Sequence, residues 1–274
     1  MASSPTSKDD RPRGQIASFF VLTFVISWGV ALVIVLFPGI VERFFGELSA
    51  FHPLFVLAVW GPTLAALILT WRQERAAGIR RLAGMLLRWR FGFHWWSFLL
   101  VGIPLIGVIL ASALGAQPAI EITSPGLLLA VLLILLVTGP LGEELGWRGF
   151  ALPRLLDRAT PLAASLVIGV AWGVWHLPSF FMAGLPQEGL AIPAFLLMSL
   201  GLSVIATWIF LHTGRSVLAV VVFHYTVNLS MSVIGAPLMA LMVVSVLAAI
   251  LIVGLDRSTG WVRRPGAGLI PDPA

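Results

Sequence analysis

Long apolar runs separated by short polar connections dominate the chain. Eight of them fall at about 16–37, 51–71, 95–116, 127–148 (continuing to about 156), 161–181, 191–211, 216–234 and 237–255. A helix needs about 20 apolar residues to cross a bilayer. The pattern therefore predicts an all-α polytopic membrane protein with about eight transmembrane helices. Eight such spans use nearly all of the apolar content, which leaves a single transmembrane domain over 16–255. A polar tail over 1–15 precedes it, and a second tail over 256–274 follows. The first run is too long for the apolar core of a cleaved signal, so it reads as a retained span. No internal repeat stands out.

Composition agrees. Hydrophobic types make up 59% of the 274 residues and charged types 11%, against about 45–50% and about 25% in soluble chains. So little charge excludes an ordinary soluble domain, and so much apolar content excludes disorder. The absence of cysteine removes disulfides, thiolate nucleophiles and Cys-based zinc sites from consideration.

The placement of the charges orients the spans. Lys8, Arg11 and Arg13 precede span 1, and Arg72, Arg75, Arg80, Arg81, Arg88 and Arg90 follow span 2. Arg148, Arg154 and Arg158 close span 4, Arg215 follows span 6, and Arg257, Arg263 and Arg264 follow span 8. All of these fall on one side of an eight-span chain, and Arg43 alone falls on the other. Cytoplasmic loops carry the Lys/Arg excess, so both termini are expected in the cytoplasm, in a plasma membrane. Sixteen arginines against one lysine hint at a GC-rich, bacterial source. In 72–91, Ile79, Leu82, Leu86 and Trp89 recur at helical spacing among arginines. That fits either an interfacial amphipathic helix or a plain basic loop.

Chemistry concentrates where charge is least expected. Only Glu143 and Glu144 among the acidic residues fall inside an apolar stretch, in Gly-Pro-Leu-Gly-Glu-Glu-Leu-Gly-Trp-Arg-Gly-Phe (139–150). A charge near the bilayer centre costs about 2.5–3.5 kcal/mol even on lenient scales, and such groups are usually functional. Glu144 and Arg148 have i, i+4 spacing and can pair on one helix face. Glu143 points about 100° away and lacks that partner. His176 follows Trp172 by four residues in span 5, and Asn228 follows His224 by four in span 7. Spans 4 and 5 form an antiparallel hairpin about the turn at 158–161, which sets Glu143 and His176 at equal height, about 25 Å from the turn. Bringing His224 and Asn228 level needs tilt or a kink, for which Gly139-Pro140 is a site.

With Glu143-Glu144-x-x-x-Arg148, Trp172-x-x-x-His176 and His224-x-x-x-Asn228 in this order, the chain resembles the CAAX protease and bacteriocin-processing (ABI) family of intramembrane proteases. The eukaryotic type 2 prenyl endopeptidase belongs to that family. The resemblance covers about 127–232 and implies eight helices with the motifs on helices 4, 5 and 7. It implies that Glu143 is the general base activating water, helped by His176. His224 and Asn228 would hold the water or stabilise the oxyanion, and Glu144 and Arg148 would brace the site or orient substrate. The family usually has Phe where this chain has Trp172; an aromatic is kept, so a packing change is expected and not a lost reaction.

The implied substrate is a membrane-bound peptide or protein, with membrane lipid as the surroundings and no nucleic acid as partner. Metal-free chemistry is the expectation. Zinc held by Glu143, His176 and His224 is the alternative, since two His and one Glu can bind it with an open position. Neither His-Glu-x-x-His nor a Ser-His-Asp arrangement is present. A proton-coupled carrier also uses intramembrane Glu, His and Arg, but carriers often show matching broken helices in two halves, and spans 1–3 hold no counterpart. A non-catalytic scaffold or immunity protein would tolerate loss of these residues, yet all are present.

Overall fold

The computed structural model describes residues 10–118 and 120–263, with side chains from residue 14 onward. Lys8, Arg264 and the side chains of Arg11 and Arg13, on which part of the terminal orientation rests, lie outside the described residues. The described residues are helical, with no strand among them. Seven helices are long and apolar enough to cross a membrane: α1 (Gly14–Leu36), α3 (Phe93–Ala113), α4 (Pro125–Leu156), α5 (Pro161–Phe181), α6 (Ile192–His212), α7 (Val217–Ile234) and α8 (Leu238–Leu255). The eighth span, α2, is a pair, Pro53–Val59 and Gly61–Leu86, bent by 54°. The chain is thus a polytopic integral membrane protein.

The basic segment after span 2 is not a plain loop. Helix continues through Leu86, interrupted at Arg75 with φ of 54°. Gly78, Leu82 and Met85 turn inward while Arg80 and Arg81 stay exposed. Trp89 lies past the helix and is exposed.

Three helices start where a hydroxyl precedes the apolar run. Ser124, Thr160 and Ser216 accept hydrogen bonds from the backbone N–H groups of Leu127, Ala163 and Ala219 at 3.2, 3.2 and 3.1 Å, capping α4, α5 and α7. Pro125 and Pro161 occupy the first turn, where no N–H is needed. α6 is the central helix, with 72% of its apolar window buried. Small residues let its neighbours approach: Gly169 and Gly173 of α5 lie against Leu200 and Leu196, and Gly201 lies against the backbone of Ser245 in α8. The Ser203 hydroxyl donates to the Ser165 carbonyl across the α5–α6 contact at 2.8 Å.

α4 is interrupted at Gly139-Pro140, as the sequence suggested. It resumes at Pro140–Glu144 and widens to a π-helix over Leu145–Ala151. In hydrocarbon no water can satisfy backbone groups at such a break. The bend of α2 supplies partners. The Trp60 indole donates to the Val137 carbonyl at 3.0 Å, and the Thr63 hydroxyl donates to the Leu141 carbonyl at 3.2 Å. Gly146 permits the contact, because a Cβ there would lie 2.5 Å from the Pro62 backbone.

The two ends of the bundle differ. At one, Arg154 bonds Gln15 at the start of α1 and Glu74 in the second part of α2, each at 3.2 Å. Ser216 donates to the Arg88 carbonyl, and Leu162 N–H to that of Trp261. Asp256, just past α8, pairs with His212 at 3.6 Å. At the other end Ile120 N–H donates to the Ser232 carbonyl at 3.0 Å, and Gly184 packs on the Leu48 carbonyl.

Candidate active site

Glu143, Glu144, Arg148, His176, His224 and Asn228 all line one cavity of about 560 Å³. The kink in α4 makes this possible by turning the Glu143–Glu144 turn toward α7. Gly139 at the kink passes beneath the α7 pair: a Cβ there would sit 2.8 Å from Asn228 Nδ2 and 3.7 Å from His224 Nε2.

Glu144 and Arg148 are both 1% exposed and paired, with Arg148 Nη1 at 2.9 Å from each carboxylate oxygen. The i, i+4 expectation thus holds although the residues straddle the change from α- to π-helix. Glu144 also holds His224, with Oε1 at 2.8 Å from Nδ1. A carboxylate can only accept, so His224 Nδ1 carries the hydrogen, and in the neutral ring Nε2 keeps its lone pair. His176 is fixed in the same way, with Nδ1 at 2.8 Å from the Trp172 carbonyl. Leu177-Pro178 ends the α-helix there, and His176 is its C-cap. Neither Nε2 makes a hydrogen bond within the described residues.

Glu143 is 3% exposed; it has no ion pair with Arg148, as the spacing implied, but it does have a hydrogen-bond partner. The Trp172 indole donates to its Oε2 at 2.5 Å. Phe could not do this, so the Trp at this position is more than the expected change in packing. The same indole stacks its face under the Arg148 guanidinium at 5.3 Å and meets the rings of His224 and His176 edge-on at 5.3 and 5.6 Å. Glu143 therefore stands opposite Trp172, one helical turn before His176 in α5. The i, i+4 relation to His176 already marked Trp172 as facing the site; its donor group was the overlooked signal.

Among the described residues no three His, Cys, Asp or Glu side chains stand grouped as a metal site. Trp172 already engages one oxygen of Glu143.

The cavity's walls are mostly apolar, including Phe55, Leu135, Met198 and Leu202, and the acidic, basic and histidine side chains are gathered on α4, α5 and α7. Its lining also takes in the four connections at one end of the bundle, at Phe51, Gln117, Gln187 and Ala236. None of its lining comes from the connections 87–92, 157–160 and 213–216.

Residues 125–230 match the family model described as Type II CAAX prenyl endopeptidase Rce1-like. The chain is also similar to CAAX prenyl protease 2 of Methanococcus maripaludis, 34% identical over 82 residues that make up 28% of this chain and 30% of the relative. The chain thus spans less than a third of that relative's length in the match. The region matched by the family model contains all six candidate residues.

Proposed function

We propose that the chain is an intramembrane endopeptidase that hydrolyses a peptide bond of a membrane-associated protein with water activated by Glu143. The observation that carries this reading is a carboxylate 3% exposed, set in a cavity beside two imidazoles whose Nδ1 hydrogens are committed elsewhere. Burying a charged group is expensive unless something is gained, and an ion pair for packing alone would need only Glu144 and Arg148.

The chemistry follows from the donor inventory. Glu143 takes a proton from water as the water oxygen attacks the scissile carbonyl carbon. The water's other hydrogen is accepted by an Nε2 lone pair of His176 or His224, which orients it. The Asn228 carboxamide can donate N–H to the oxyanion, which is the largest single source of stabilisation in such reactions. Glu143 then returns the proton to the leaving amide nitrogen as the C–N bond breaks, which restores the carboxylate. Trp172, Glu144 and Arg148 position these groups. This scheme uses no metal.

The test is a comparison of membranes carrying the parent chain and Glu143→Gln, by proteomics of peptide termini. Fragments that appear only with the parent support the reading. Identical fragment sets, with both proteins folded and abundant, favour a non-catalytic membrane scaffold instead.

A further inference from the structure

We infer that this site is loaded from the face of the membrane opposite the arginine-rich loops, so that its substrates are segments displayed on the extracytoplasmic side. The inference rests on the peptidase reading for the word substrate, but its geometry stands on two independent observations. The first is charge. Among the described residues, Arg80, Arg88, Arg154, Arg158, Arg215 and Arg257 lie at the end of the bundle where α1 begins and α8 ends. Contacts across that end tie its connections together, from Gln15 to Arg154 to Glu74 and from Arg88 to Ser216. Arg43 is the one arginine at the opposite end, which carries Glu42, Glu47, Glu121 and Glu188. Positive loops stay in the cytoplasm, so the Arg43 end faces out.

The second observation is the course of the cavity. It reaches from Glu143 to all four connections at the Arg43 end and to none of the three connections between spans at the arginine-rich end. A cytoplasmic peptide would have to cross packed helices to reach it; an external one enters past Gln117 and Gln187.

Labelling tests this without turnover. The chain has no cysteine, so single cysteines report cleanly. Glu121→Cys and Glu188→Cys sit on exposed connections, Met231→Cys lines the cavity, and Arg80→Cys marks the other end. Each is treated with a membrane-impermeant anionic thiol reagent in sealed right-side-out and inverted vesicles. Positions 121, 188 and 231 are expected to react in right-side-out vesicles, and position 80 only in inverted ones. Reaction of 121 and 188 only in inverted vesicles, or of 231 only from the Arg80 side, overturns the inference. The same pattern is expected in a Glu143→Gln background. Intact labelling with no Glu143-dependent cleavage would sink the peptidase reading and leave the direction of access standing.

Discussion

Replacing Glu144 by Ala isolates the structural part of the site. Arg148 is 1% exposed, and among the described residues Glu144 supplies the only carboxylate it bonds, at 2.9 Å. Its Nε is already buried without a partner, so no spare acceptor stands ready. The same change strips the acceptor from His224 Nδ1. Breaking a buried pair by removing one member costs about 3–5 kcal/mol, and the cation–π contact with Trp172 offsets none of it, because the parent already makes that contact. A loss near 3 kcal/mol is about 100-fold in the folding equilibrium at about 1.4 kcal/mol per decade. Equilibrium unfolding in mixed micelles, followed through the eleven tryptophans, reads this directly. Glu144→Ala should shift the transition strongly, Glu143→Gln little. Glu144→Leu combined with Arg148→Met, which removes both charges, should recover part of the loss. Coincident transitions for parent, Glu144→Ala and Glu143→Gln would refute the assignment of Glu144 and Arg148 as a bracing pair.

Trp172→Phe keeps the ring contacts with His176 and His224 but deletes the donor to Glu143; a hydrogen bond to a charged group contributes about 1.5–3 kcal/mol to stability, so the unfolding transition should shift by up to that amount and kcat on a reporter should fall while KM barely moves. Unchanged kcat would make the indole a packing residue only. Gly139→Ala places a methyl group 2.8 Å from Asn228 Nδ2 and should cut kcat at least about tenfold, because a displacement near 1 Å can cost that much or more; normal turnover would show that Asn228 does not need its observed place. Purified active protein should carry no stoichiometric zinc and should be indifferent to chelators; zinc that is lost together with activity in His176→Ala would make the proposed activity that of a metalloprotease.

The spans were legible because a bilayer demands a length, and apolar runs such as 161–181 and 216–234 end within a residue of α5 and α7. The Glu144–Arg148 pair was legible because it is local. What the sequence hid is tertiary. The bend at Trp60 and the continuation of helix to Leu86 depend on docking against α4, not on apolar length. The π-turn over Leu145–Ala151 has no signature in hydropathy. The partner of Glu143 lies 29 positions away, on another helix, beyond any periodicity argument.

The clasp between Trp60, Thr63 and the interrupted α4 also bears on how the chain is made. Spans leave the insertion machinery in order, so α2 is in the bilayer before α4 emerges. Without it, the Val137 and Leu141 carbonyls would lose the Trp60 and Thr63 donors and meet hydrocarbon, where each unsatisfied group costs several kcal/mol. The amino-terminal spans, which carry none of the candidate chemistry, therefore act as an assembly jig for the span that carries half of it. A fragment starting at Phe93 should retain every candidate residue and yet be cleared by membrane quality control, and co-expressing the first two spans as a separate chain should restore its half-life in a pulse-chase experiment.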